Sequence, residues 1–290
     1  MGTKRKLLFV YGSLRRGEMY EHYLNEAEPV AMQAWTSGML FDTGEGYPAM
    51  SLLGSGRVYG EVYRITEKEL AAIDQLEDFQ PGGHGNLYER VRLPIETDQA
   101  SLEALAYIFP QPRTQEMPVV EMGDWKSRRL TKEEEFLYFA YGSCMDDERF
   151  RLQGVAGFFR DMVGCGVLKG YAMCYTLPYA DGGRADIVEH YGSTVEGKVY
   201  RIGKEGLEYL LWREGVHRGV YRPAWVTLQL GGKLVSNVLT FTVMDKKQET
   251  APPDHYAREI LRGGKGIVSD RYYQQLQRDL KEKFGMDVKG

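Results

Sequence analysis

Two glutamates in this chain stand where their surroundings call for an apolar residue. Glu214 follows Leu207, Leu210 and Leu211. On a helix, Leu207 and Leu210 lie seven and four positions before it and share its face. In an amphipathic helix that face packs inward. Glu77 stands in the same relation to Leu70 and Ile73. A carboxylate in apolar surroundings has a raised pKa, because desolvation disfavours its charged form. Near neutral pH such a group can both accept and donate a proton. The competing reading is a salt-bridged helix end, with Arg90 as partner for Glu77 and Arg213 or Arg218 for Glu214. Spacing favours chemistry. Ile65 to Glu77 and Ile202 to Glu214 are both twelve positions, and a surface charge is not usually kept at one register while its neighbours diverge.

That spacing belongs to a longer internal repeat. "LLFVYGSL" at 7–14 returns as "LYFAYGSC" at 137–144, and "GEVYRI" at 60–65 as "GKVYRI" at 197–202. "ALAYIF" at 104–109 and "VLTFTV" at 238–243 read as matching late strands. The sequence therefore predicts a tandem duplication: one domain over 1–112, a polar linker without clear period over 113–134, and a second domain over 135–290. Each unit opens with an apolar strand that stops at Gly-Ser, and "EMYEHYL" and "DDERFRL" predict a helix after each. "ITEKELAAIDQLEDF" predicts a helix with Thr66 and Glu69 as a capping box and Leu70, Ile73 and Leu76 inward. "SDRYYQQLQRDLKEKFG" predicts a final helix capped by Ser269, with Tyr273, Leu276, Leu280 and Phe284 on one face. Strands mixed with a few helices, without strict alternation, indicate α+β and a small closed sheet. A strand that ends in Gly-Ser and turns away can aim free backbone N–H groups at one point, a site for a carboxylate or oxyanion. An ordinary strand-to-helix turn would read the same way.

The 290 residues suggest two domains, with 43% hydrophobic and 27% charged residues and a net charge of −4. Neither half carries the basic excess of a nucleic-acid partner. No run approaches the roughly 20 apolar residues of a membrane span. Cys144, Cys165 and Cys174 are an odd number without metal-type spacing, which points to a reducing, cytoplasmic setting. His22, His84, His190, His217 and His255 show no metal pattern. "LRGGKGIVSD" lacks the strand-first context of a phosphate loop. Cys144 follows Tyr141, Gly142 and Ser143 and could serve as a nucleophile, but the first unit has Leu14 in its place.

The second half resembles the gamma-glutamylcyclotransferase family through "FLYFAYGSCM", "GGRADIV", "VEGKVYRI", "REGVHRGVY" and "APPDHYAREILRGGKG…SDRYYQQL". The first half is similar to the related gamma-glutamylamine cyclotransferase branch through "VYGSLRRGEMYEHYL", "GYPAM", "VYGEVYRI", "IDQLEDF" and "LYERVRL". The resemblance implies a small β-barrel with flanking helices in each half. It implies release of 5-oxoproline and a free amine or amino acid from small gamma-glutamyl substrates. It places the catalytic acid/base at Glu77 and Glu214. It places substrate contacts at Tyr11, Gly12, Ser13 and Leu14, at Tyr141, Gly142, Ser143, Cys144 and Met145, and at Tyr256. Cys144 departs from the family's usual Asn. The chemistry requires no cofactor or metal. A binding or scaffold protein with silent sites and a Cys144-dependent amide hydrolase are the alternatives. If Glu214 is catalytic, a pocket should open over it, with the amides of Gly142 to Met145 on the opposite wall and Tyr221 and Tyr256 closing the sides.

Overall fold

The computed structural model describes residues 5–109 and 116–289. The chain divides into two compact units, Met1–Thr131 and Lys132–Gly290. The first contains β1 (Lys6–Val10), β2 (Glu28–Ser37), β3 (Met39–Asp42), β4 (Pro48–Ser51), β5 (Arg57–Ile65), α1 (Glu67–Leu76), β6 (Glu89–Thr97) and β7 (Ser101–Ile108). A short helix, α2 (Arg129–Lys132), crosses the boundary. The second contains β8 (Phe136–Ala140), α3 (Asp147–Leu152), β9 (Asp161–Tyr179), β10 (Gly182–Ile202), α4 (Lys204–Arg213), β11 (Tyr221–Leu230), β12 (Lys233–Val243), α5 (Asp254–Gly264) and α6 (Asp270–Phe284).

Each unit is a closed five-stranded barrel of one topology, in the orders β1-β5-β2-β6-β7 and β8-β10-β9-β11-β12. The closing pairs are parallel, Leu8 opposite Leu105 and Tyr138 opposite Leu239. The repeated words therefore occupy repeated places. The first barrel's interior draws Phe9, Ala31, Ala34, Val58, Val62, Leu93, Ile95, Ala104 and Ala106 from all five strands, packed with Trp125. Its outer face, from Leu8, Val10, Tyr63 and Ile65, packs against Leu70 and Ile73 of α1. This alternation is the period-two pattern of a strand buried on both sides.

Several expectations need adjustment. The stretch read as a linker belongs largely to the first unit; only 113–115 lie outside the described residues. Asp124, Trp125 and Lys126 are buried. Its polar composition serves an internal ion network: Arg15 bonds Asp124 at 2.6 Å and Glu61 at 3.1 Å. "EMYEHYL" forms only a 3₁₀ turn, Glu21–Leu24, because Tyr20 N–H turns back to Ser13 O at 2.8 Å and the chain leaves for β2. In α6 the buried stripe begins at Tyr272, with Leu276 and Leu280, while Tyr273 is only half-buried. The Thr66–Glu69 capping box of α1 and the Ser269 cap of α6 form as expected. Among the described residues no helix is long and apolar enough to cross a membrane.

One glycine per unit is demanded by closure. A Cβ on Gly60 would lie 2.3 Å from Val10 O, and one on Gly197 would lie 2.2 Å from Ala140 O. In both, the strand presses directly on its neighbour where the Gly-Ser turn begins. Gly60→Ala and Gly197→Ala should each destabilise the protein by at least about 2 kcal/mol, the scale of an overpacked core. Denaturant unfolding checks this; an unchanged midpoint in either variant would contradict the close approach.

Candidate functional site

Each barrel carries a cavity at the end where its first strand gives way to the Gly-Ser turn. The first, about 150 Å³, is lined by Tyr11, Gly12, Ser13, Leu14 and Glu77 together with Tyr20, Tyr47, Pro48, Leu76, Tyr88 and Tyr107, among others. The second, about 370 Å³, is lined by Tyr141, Gly142, Ser143, Cys144, Glu214, Tyr221 and Tyr256, with Arg149, Arg184, Trp212 and Arg213 on its walls. The pocket expected over Glu214 is present, and its partner lies over Glu77.

The glutamates are placed by the same device. Glu77 caps the C-terminus of α1 and Glu214 that of α4, their N–H groups reaching Ile73 O and Leu210 O at 2.9 Å. The apolar stripe seats the helix on the barrel and carries the carboxylate to the cavity. Burial pushes Glu77 up to about 7. Among the described residues its carboxylate has no hydrogen-bond or ion-pair partner. Arg90, the candidate salt-bridge partner, is taken by Asp74, which also accepts from Tyr107 OH at 2.6 Å. Glu214 is likewise raised by burial, with Arg213 acting in the opposite direction. Arg213 Nε lies 3.5 Å from Glu214 Oε1, while Arg218 makes no ion pair with it among the described residues. The second glutamate is therefore partly paired and the first is not.

The Gly-Ser turns face these carboxylates. Met145 N–H is tied to Gly142 O at 3.0 Å and Arg15 N–H to Gly12 O at 3.0 Å. No hydrogen bond is assigned, among the described residues, to the N–H groups of Ser13, Leu14, Ser143 or Cys144. The free amides are thus fewer than the whole loop. Met145 does not reach the cavity; its side chain is fully buried, and its role is packing. Tyr11 and Tyr141 line the cavities with their rings, but their hydroxyls are spent, donating at 2.6 Å to Tyr107 O and Phe241 O. Cys144 Sγ donates to Glu214 Oε1 at 3.5 Å and accepts from Arg213 Nε at 3.2 Å. Burial pushes its thiol up, so it stays a proton donor. Arg213 Nη2 also donates to Ser143 Oγ at 3.2 Å.

The side walls close as expected, by an unexpected route. Ala185 sits at a bulge in β10, between Arg184 and Asp186. Its N–H donates to Tyr256 OH at 3.2 Å and its carbonyl accepts from Tyr221 OH at 2.7 Å. In the first unit Tyr88 OH donates to Pro48 O at 2.7 Å in the same manner. Helix α5 braces the second turn along one face. Arg262 pairs with Asp146, Glu259 pairs with Arg149, and a Cβ on Gly263 would lie 2.5 Å from Met145 C. Sequence reasoning missed Arg149, Arg184, Tyr179 and Trp212 in the second cavity, and Tyr47, Tyr88 and Tyr107 in the first. The repeat itself held one signal, since equal spacing to the glutamates sets Trp212 and Arg213 against Gln75 and Leu76.

Comparison with known proteins agrees with this picture of two related units. A family model described as gamma-glutamyl cyclotransferase, AIG2-like, matches residues 8–127, and one described as AIG2-like family matches residues 194–276. YkqA of Bacillus subtilis is 40% identical over 277 residues, covering 94% of this chain and 97% of YkqA. The crystal structure of YkqA superposes with a TM-score of 0.86 at 38% identity, covering 99% of this chain and 100% of that one. The gamma-L-glutamyl-butirosin B gamma-glutamyl cyclotransferase of Niallia circulans is 37% identical over 124 residues, 42% of this chain and 77% of that protein. With one barrel, one glutamate-ended helix and one Gly-Ser turn in each half, the chain belongs to the gamma-glutamylcyclotransferase family as a tandem pair of its domains.

Proposed function

We propose that both units are cyclotransferases that release 5-oxoproline and a free amine from gamma-glutamyl substrates, with Glu77 and Glu214 as the proton carriers. The observation that supports this most directly is a helix-ending glutamate, raised by burial, across a small cavity from unspent turn amides, twice in one chain.

The substrate holds its own nucleophile. Its α-amine attacks its γ-carbonyl and closes a five-membered lactam, so the cavity mainly selects the folded conformer. Well-oriented intramolecular attack is worth about 7–11 kcal/mol of barrier. The glutamate takes a proton from the α-ammonium, and the nitrogen lone pair forms the new C–N bond. The carbonyl electron pair moves to oxygen, facing the amides of Ser13 and Leu14 or of Ser143 and Cys144. When the electron pair returns, the C–N bond to the leaving amine breaks and the glutamate's proton goes to that amine. Overall the attacking nitrogen gives up two protons and the departing ammonium takes up two. A carboxyl loaded and unloaded in turn therefore balances the reaction. A thiol nucleophile would need a low pKa, and Cys144 is pushed the other way.

Glu77→Gln and Glu214→Gln should each silence one site, and the double variant should lose about 10²- to 10⁴-fold of 5-oxoproline release from gamma-glutamyl dipeptides and amines. Full release by a folded double variant would remove both residues from the mechanism.

The Glu77 environment also fixes a pH dependence. Its folded pKa, about 7, lies above the 4.5 of an unperturbed glutamate. Stability is therefore complete below pH 4.5 and declines as pH rises through 7, by up to about 3 kcal/mol. Gln cannot ionise, so Glu77→Gln should match the parent's unfolding free energy at pH 4 and exceed it at pH 8. Turnover at the first site, measured in Glu214→Gln, should rise with pH to a plateau above about 7. A stability difference independent of pH would contradict the buried, unpaired carboxylate.

A further inference from the structure

The two cavities share their glutamate, their Gly-Ser turn and their tyrosines, and differ in the residues around them. Counting back from the glutamates, Arg213 stands where the first unit has Leu76, and Trp212 where it has Gln75. Tyr88 and Tyr221 donate to the backbone oxygens of Pro48 and Ala185, which makes those residues equivalent and sets Arg184 against Tyr47. The first cavity, about 150 Å³, has Glu77 as its one charged lining residue among those described. The second, about 370 Å³, adds Arg149, Arg184 and Arg213 to Glu214.

Arg213 is occupied by Glu214, Cys144 and Ser143. Arg149 and Arg184 make no hydrogen bond or ion pair with those three residues among the described residues, although the charge of Arg149 also favours ionised Glu214. Both are held from behind. Arg184 pairs with Asp181 at 2.8 Å and stacks over Tyr179 and Tyr256, 4.9 and 5.1 Å from their ring centres. Arg149 pairs with Glu259 of α5. Neither Asp181 nor Glu259 lines the cavity, so the wall itself is cationic. Beside it the fold leaves two large rings in water: Trp212 is 71% exposed and Tyr179 49%. A carboxylate reaching this wall would meet charge-assisted donors, and a flat side chain would meet aromatic faces. The same leaving group in the first cavity would lose its hydration with no cation to replace it.

We infer that Arg149, Arg184, Trp212 and Tyr179 form a leaving-group subsite for an amine bearing both a carboxylate and an aromatic ring, and that the first site rejects such amines. The inference rests on the cyclotransferase reading and divides the chain into two sites of opposite selectivity.

The test uses the full chain with one site silenced and three substrates: gamma-glutamylphenylalanine, gamma-glutamylphenethylamine, which lacks only the carboxylate, and gamma-glutamylalanine, which lacks only the ring. In Glu77→Gln, kcat/KM for gamma-glutamylphenylalanine should exceed each of the others by about 10-fold or more. In Glu214→Gln, gamma-glutamylphenethylamine should be preferred over gamma-glutamylphenylalanine. Adding Arg184→Gln to Glu77→Gln should raise KM for gamma-glutamylphenylalanine by about 10-fold more than it raises KM for gamma-glutamylphenethylamine, with circular dichroism showing that the variant folds; an equal rise for both would overturn the role of Arg184. Arg149→Gln serves the same purpose if the hairpin does not tolerate loss of Arg184. Adding Trp212→Ala should narrow the gap between phenylalanine and alanine conjugates. Equal release of 5-oxoproline from all three substrates by Glu77→Gln would overturn the selectivity and leave the reaction standing. Absence of 5-oxoproline from every substrate would overturn the reaction, and the subsite with it.

Discussion

A carboxylate at the C-terminal end of a helix and out of water is disfavoured twice as an anion. Burial removes its hydration, and the helix dipole presents its negative end there. Glu77 and Glu214 both occupy this position, as the C-caps of α1 and α4. Most of each unit can be understood as what keeps a group in so unfavourable a place. The apolar stripe of the helix anchors it to the barrel, the barrel's first strand delivers the Gly-Ser turn opposite, and the strand's terminal tyrosine pins that turn. The bonds from Tyr11 to Tyr107 O and from Tyr141 to Phe241 O have the same length, 2.6 Å. The tyrosine that opens the motif serves chiefly to fix the geometry and only its ring faces the cavity.

What the duplication has kept is the constraint, and the residues meeting it have changed, even in sign. After the glycine of the repeated strand, the first unit has Glu61 and the second Lys198. Glu61 accepts from Arg15 and from the backbone N–H of Arg16 at 2.9 Å; Lys198 reaches Asp147 at 2.9 Å. Each is buried and ties the loop beyond the Gly-Ser turn to the same strand. In the first unit the network extends to Asp124 and Lys126 on the returning segment, and desolvation pulls Lys126 down to about 8. In the second, α5 performs that bracing through Arg262 and Gly263. A buried ion pair is weak evidence of added stability, since desolvation can offset the attraction. Such a network can set registry instead, since a slipped loop would strand a buried ion.

Much of this was legible in the sequence because it is carried by local patterns repeated twice. Short β-branched and aromatic words fixed the strands, and equal spacing to the glutamates fixed the helices and their odd end residues. The segment 116–131 was misread because its order comes from long-range ion pairs and 3₁₀ turns, which leave no hydrophobic period to see. Arg149 and Arg184 were invisible for a related reason. They come from α3 and β10, far from Glu214 in the chain, and only barrel closure brings them to one cavity. Tyr256 was placed through family resemblance, and no local pattern would have singled it out. Met145 came to the site as part of the substrate loop that the resemblance implies, but a 3₁₀ turn rotates its side chain into the core.

The positions that diverged between the two halves are not scattered evenly around the cavities. The glutamate, the glycine and serine of the turn, the pinning tyrosine and the phenol that bonds the hairpin carbonyl are held in both. Leu76 against Arg213, Gln75 against Trp212 and Tyr47 against Arg184 are changed. Two of the three changes add a cation. A carboxyl poised near neutrality is sensitive to such charges, and Arg213 already works against the burial that raises Glu214. A wall cannot be made cationic without drawing the nearby acid toward its ionised form. In the second unit the burial of Glu214 outweighs Arg213, the Cys144 thiol at Oε1 and Arg149, which all favour the ionised carboxylate, so the carboxyl remains raised. The first unit reaches a comparable state by leaving Glu77 unpaired among tyrosines. Both carboxyls are thus raised in different surroundings, so the walls beside them can differ without the buried acid being lost.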